Sequence, residues 1–121
     1  MKVCVTSEGT SLDSKIDPRF GRCRYFIIVE TDAMGLQAIE NSNLQASGGA
    51  GIQSGQLMAF NHVEAVLTGN CGPNAFQTLQ AAGIEIFTGV SGTVREALEK
   101  YRKGVLKKPQ GPTVDAKKGM S

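Results

Sequence analysis

No run of apolar residues in this 121-residue sequence approaches the roughly 20 needed to cross a bilayer. The amino end, Met1-Lys2-Val3-Cys4-Val5, has neither the apolar stretch nor the cleavage site of a secretory signal. A cytoplasmic protein without membrane contact is expected. Cysteine is scarce: Cys4, Cys23 and Cys71 are odd in number and form no Cys-x-x-Cys pair, which speaks against a disulfide framework and against a zinc knuckle. His62 is the single histidine, and no motif sets a nucleophile beside a partner base, so Ser-His-Asp and Cys-His mechanisms lack their parts. The first predicted strand carries no acid, which removes the carboxylates on adjacent strands that a two-metal nuclease needs. Phosphate-binding signatures are missing as well: no Gly-Lys-Ser/Thr closes a glycine-rich loop, and no Gly-x-Gly-x-x-Gly follows the first strand. These absences point away from an enzyme.

With 40% hydrophobic and 20% charged residues, the chain has enough apolar material to fold, and its length suits one core. The formal net charge of +2 is unevenly spread. Residues 1–101 hold seven Lys/Arg against ten Asp/Glu, whereas residues 102–121 hold six against one. That basic end contains Pro109, Gly111, Pro112 and Gly119 but few large apolar side chains, too few to offset its ordering entropy. A folded domain over residues 1–106 and a disordered basic tail over 107–121 are expected.

Along the chain, Lys2 to Ser7 is a short β-branched run that reads as an interior strand, and Arg24 to Thr31 is a clearer one. Turn residues Asp32 to Gly35 lead to a weaker third strand, Leu36 to Asn41. The period then changes. Ile52 to Asn61 has helical spacing, Glu64 to Thr68 is an apolar strand, and Pro73 to Ala82 is a helix with proline in its first turn and Gly83 as its cap. Ile84 to Thr88 is the last strand, and Thr93 to Tyr101 closes the domain as an amphipathic helix. The order β-β-β-α-β-α-β-α predicts an α/β protein with a five-stranded mixed sheet, the last two strands reached by right-handed crossovers. In that topology the loops near Glu8 to Cys23, Asn43 to Gly51, Gly69 to Gly72 and Gly89 to Gly92 open at one edge. Ligands of open α/β sheets bind at such an edge, outside the carboxyl ends of the strands.

Three constellations meet there. The segment Asp17-Pro18-Arg19-Phe20-Gly21-Arg22-Cys23 carries cations that suit an anionic ligand, with Phe20 as a cover for an apolar face. Its plain alternative is a solvated loop whose acids and bases pair locally. Ser47-Gly48-Gly49-Ala50-Gly51 and Gly69-Asn70-Cys71-Gly72-Pro73 each precede a helix, and helix starts present free N–H groups to negative charge. Taken singly, those glycines are as well explained by tight turns. Cys71 at a helix start is the thiol best placed to serve as a metal ligand, and Cys23 could face the same space. Cys4, between two valines, reads as a buried hydrophobe, and Met58 as core. His62 falls at the opposite edge and reads as a surface or capping residue.

In this order, together with Ala82-Gly83-Ile84-Glu85-Ile86, these motifs resemble the dinitrogenase iron-molybdenum cofactor biosynthesis family. That family includes the NifX and NifY proteins, the carboxyl-terminal domain of NifB, and the orange protein with its molybdenum-copper sulfide cluster. The resemblance runs from about Met1 to about Leu106. It implies a ribonuclease H-like three-layer α/β/α fold without nuclease activity. It also implies binding or carriage of an iron-, molybdenum- or copper-containing sulfide cluster, held noncovalently or with help from a thiolate, in cofactor assembly or storage. Carried over residue by residue, it marks Arg19, Phe20, Gly21, Arg22 and Cys23, Gly48, Gly49 and Gly51, and Asn70, Cys71, Gly72 and Pro73 as cofactor-binding, with Cys71 as the metal ligand. Cofactor-assembly proteins are the expected partners, and no specific nucleic acid is expected. The competing expectation is a nucleotide- or phosphate-binding regulatory or interaction domain that uses the same helix starts.

Overall fold

The computed structural model describes residues 1–32, 35–42 and 49–113. The elements follow in the order β1 (Lys2–Ser7), β2 (Tyr25–Glu30), β3 (Gly35–Glu40), α1 (Ala50–Phe60), β4 (Ala65–Leu67), α2 (Pro73–Ala81), β5 (Glu85–Phe87) and α3 (Val94–Lys103). The strands lie side by side as β3-β2-β1-β4-β5. β2 runs antiparallel to β1 and β3, and β4 runs parallel to β1 and β5. The sheet is therefore mixed, and β1 joins its two halves.

Side chains alternate across a strand, so a paired register puts matching residues on one face. Cys4 stands beside Ile28 and Val66, and Val66 beside Ile86. These four join Phe26, Met58 of α1, and Ala75, Phe76 and Leu79 of α2 in one buried cluster. On the other face Val3, Val5, Ile27, Val29, Ala65, Leu67 and Phe87 pack against Val94 and Ala97 of α3. Two helices thus cover one side of the sheet and one helix covers the other. β1 is sealed between them, with Val3, Cys4, Val5 and Thr6 all fully buried. Each such aliphatic side chain contributes about 1.5–3 kcal/mol of burial.

α1 and α2 approach closely because α1 offers small residues to its neighbour. A Cβ on Gly55 would stand 2.6 Å from Thr78 Cγ2, and one on Gly51 would stand 3.1 Å from Ala75 Cβ. α3 starts at a full capping box: the Thr93 hydroxyl accepts the Glu96 N–H at 3.2 Å, and the Glu96 carboxylate accepts the Thr93 N–H at 2.9 Å. α1 begins two residues earlier than its hydrophobic spacing suggests, since Gly49 in the left-handed region, φ 76°, serves as N-cap.

Residues 107–113, the first part of the expected disordered tail, make contacts with the body. The Thr88 N–H donates to the Lys107 carbonyl at 3.3 Å, and the Lys108 ammonium pairs with Glu85 and lies 5.7 Å from the Phe87 ring centre. Thr113 reaches the main chain of Cys71. Few apolar residues are needed here, because backbone and ionic contacts do the holding. Residues 114–121 of that tail lie outside the described residues.

Candidate functional site

All four strands that run in the same sense end at one edge of the sheet, and there the chain builds a cleft of about 280 Å³. Its lining is Phe20, Gly21 and Arg22 from the β1–β2 loop, Gly49, Ala50 and Gly51 from the start of α1, and Gly72, Pro73, Asn74 and Ala75 from the start of α2. Three segments far apart in sequence converge on this space.

Local chemistry holds each wall. Gly69 lets the α2 loop press against Pro18, where a Cβ would come within 2.7 Å of the Pro18 Cα. The contact is zipped by the Asn70 N–H donating to the Pro18 carbonyl at 2.7 Å and by the Phe20 N–H donating to the Asn70 carbonyl at 3.2 Å. Buried Asn41 braces the next turn, its side-chain amide donating to the carbonyls of Gly21 at 3.0 Å and Cys23 at 2.8 Å. Gly21, at φ 94°, lets the loop turn over α1, where its Cβ position lies 3.2 Å from Gly51 Cα. Only glycine suits that conformation and that gap.

The electrostatics follow from backbone geometry. Neither α1 nor α2 has a side-chain cap or an acidic residue in its first turn. The N–H groups of Ala50, Gly51, Asn74 and Ala75 lie in those first turns, where helix geometry provides no acceptor within the helix. All four residues line the cleft. Two helix starts and the half-exposed Arg22 therefore give this space a positive bias.

The expected site residues divide. Phe20, Gly21, Arg22, Gly49, Gly51, Gly72 and Pro73 are brought together in the cleft. Gly48 lies outside the described residues. Arg19 and Asn70 are exposed and sit beside the cleft rather than in its lining, and the Arg19 Nε lies 3.4 Å from the buried Asp17 carboxylate. Phe20 is mostly core: it is 6% exposed and packs edge-on to Phe26 at 5.9 Å, so it forms floor and does not stand as a cover. Ala50, Asn74 and Ala75 belong to the lining without having been singled out. Their place in the first turn after a glycine is the signal that marks them.

The two loop cysteines depart furthest from expectation. Cys71, the thiol the sequence places best for a metal, is fully buried, and burial pushes it up to about 12. The cap of α2 is Gly72, which places Cys71 at the position before it, N′. A residue there packs inward against the fourth helical residue, here Phe76, and both belong to the same core cluster. Cys23 is likewise buried, and desolvation followed by the nearby Asp17 charge takes it to about 12. Cys4 shares that cluster, and burial raises its thiol well above the ordinary range. Among the described residues, no group of three or more His, Cys, Asp and Glu gathers as a metal site. The cleft is lined by the N–H groups of two helix starts and by the cationic Arg22, a lining that suits an anion.

A second hollow of about 350 Å³ lies on the face covered by α3, lined by Leu12, Val29, Leu36, Leu98 and Tyr101 with Arg95 and Arg102 at its side. It is larger but gathers none of the glycine turns, and it arises because one helix cannot cover β3.

The fold and cleft together define a class: a small α/β domain with a carboxyl-edge recess made of backbone donors. The model of the dinitrogenase iron-molybdenum cofactor family matches residues 1–104, and the chain belongs to that family. Its structure is similar to the apo form of the orange protein from Desulfovibrio gigas, at 38% identity and a TM-score of 0.89, covering 93% of this chain and 95% of that one. A NifB-like protein from Thermotoga, determined by NMR, is 36% identical with a TM-score of 0.79, covering 88% and 91%. An uncharacterized protein from Methanocaldococcus jannaschii is 29% identical over 99 residues, 79% of this chain and 84% of the relative.

Proposed function

We propose that this protein binds and carries a preformed metal-sulfur cluster, built from iron, molybdenum or copper with sulfide, for cofactor assembly or storage. The observation that carries this reading is the convergence on one cleft of Arg22 and two helix starts that have no side-chain cap. Metal-sulfide clusters are compact polyanions, and such a cargo takes up N–H and guanidinium donors with short, charge-assisted hydrogen bonds. Gly21, Gly49, Gly51 and Gly72 keep side chains out of the way so that backbone can approach it. Arg22 supplies charge, and Arg19 adds to the field from the rim. Cys71 would add a sulfur ligand only after turning out of the core. The scaffold is a ribonuclease H-like three-layer sandwich used for binding, with no chemistry of its own, in a cytoplasmic setting where donor and acceptor assembly proteins load and unload it.

The cleft, at about 280 Å³, is at the small end of ligand pockets. With Phe20 buried it presents no ring on which a base could stack, so a nucleotide fits less well than a compact inorganic anion. Anaerobic incubation of the apo-protein with tetrathiomolybdate and copper(I), or with iron and sulfide, followed by gel filtration, should yield a coloured protein carrying metal and sulfide in fixed ratio. A colourless protein that sheds all metal on the column would sink the reading. Arg22→Ala should weaken retention by about ten- to a hundredfold, since loss of one charged hydrogen bond is worth about 1.5–3 kcal/mol. The loss should shrink as salt is raised.

A further inference from the structure

We propose that residues 107–113 form a latch over the cleft wall, and that Thr113 is the positioning residue that keeps Cys71 turned inward. The proposal rests on the cluster-carrying reading above, in which Cys71 lends a thiolate.

The Cys71 N–H donates to the Thr113 hydroxyl at 2.8 Å, and the Thr113 N–H donates to the Cys71 carbonyl at 3.0 Å. Both main-chain groups of one residue are taken by a residue 42 positions later. Upstream, the latch is fastened across the last strand by the Thr88 to Lys107 bond and by Lys108, which pairs with Glu85 beside the Phe87 ring. It ends on the loop that becomes Gly72 and Pro73, one wall of the cleft.

The Cys71 side chain meanwhile lies fully buried in the cluster with Cys4, Phe20 and Phe26, and it is not part of the cleft lining. To meet an occupant of the cleft, the residue must rotate out, and its N–H and C=O then swing off Thr113. A closed latch and a presented thiol exclude one another. When the thiol does bind metal, the S–H bond is replaced by a metal–sulfur bond and the proton passes to solvent, with no change of oxidation state. The latch is built to open: its bonds are few, and Lys107, Lys108 and Thr113 are exposed, the profile of a segment that detaches without global unfolding. The empty carrier thereby keeps its thiol from alkylation and oxidation, and opening the latch arms it.

The test uses the full-length protein without metal. Iodoacetamide labelling is followed for each cysteine by peptide mass mapping in the parent, in Thr113→Pro, which loses both the N–H and the hydroxyl, and in Thr113→Ser, which keeps both. Cys71 should label at least tenfold faster in Thr113→Pro, Cys4 and Cys23 should keep their rates, and Thr113→Ser should match the parent. An unchanged Cys71 rate in Thr113→Pro overturns the latch. Equal acceleration of all three thiols overturns it too, since Thr113 would then serve the whole fold and not one residue. No cluster is present in this assay, so its failure leaves the carrier reading standing. Selective labelling of Cys71 in a protein that stays colourless on reconstitution supports the latch and removes the carrier.

Discussion

At the scale of single residues, the buried thiols make the fold sensitive to alkali. Cys23 and Cys71 both sit near 12 in the folded protein against an ordinary value of 9.0. Burial raises Cys4 as well, so the native state keeps three protons that the unfolded chain releases once the pH passes that ordinary value. The stability these thiols confer is fully present below pH 9 and is lost as pH rises towards 12, at about 1.4 kcal/mol per pH unit for each thiol. Urea midpoints measured from pH 8 to 11 should fall accordingly, and Cys71→Ala, which removes one of three such thiols, should cut the slope by about a third. Gly69→Ala makes a second case. Its Cβ would lie 2.7 Å from Pro18 Cα and 2.9 Å from the Pro18 carbonyl oxygen, so the two loops must part, at a cost of about 1–3 kcal/mol. Thermal melts should show the loss, and cluster retention should fall with it because the parted loops form the cleft. Such contacts are hard to read in a sequence. A glycine announces a turn, whereas the atom it must avoid is set by a segment 51 positions away, between Pro18 and Gly69. The inward turn of Cys71 is legible in principle: a helix beginning at Pro73 makes Gly72 the cap and Cys71 the position before it, spaced to pack against Phe76.

At the scale of elements, the strands and helices followed the periodicity closely because the apolar alternation has a single physical use here. Phe26 and Ile28 face two helices while Ile27 and Val29 face one, and a slip by one residue would exchange the two faces. β3 reads weakly for the same reason: it lies at the sheet edge and is exposed along most of its length. α3 depends on its cap more than the other helices, having strong amphipathic patterning but few fully buried residues, Val94 and Ala97. Thr93→Ala should cost about 1 kcal/mol, seen as a lower urea midpoint and as faster amide exchange in the first turn of α3. α1 carries no charged residue from Ala50 to Phe60. That composition hid its first turn among the glycines, so its start was placed at Ile52.

For the whole molecule, strand direction and loop order alone point to the carboxyl edge of the sheet, and the cleft lies there. The contacts of residues 107–113 were illegible because no apolar pattern advertises them. Backbone bonds to Thr88 and Cys71 leave no trace in composition. A cargo bound across the three walls adds its binding free energy to the folded state, so cluster-loaded protein should melt higher than apo-protein. The gain amounts to about 2.7 kcal/mol when free cargo is a hundred times its dissociation constant. Equal melting curves would mean that bound metal sits elsewhere. The cleft also takes its first wall from the antiparallel half of the sheet and the other two from the start of α1 and from the loop beyond β4. A nascent chain halted before Ala75 cannot assemble the recess, however well its opening hairpin has formed. If the carrier reading holds, a cargo that needs all three walls would load only onto chains that include the first turn of α2.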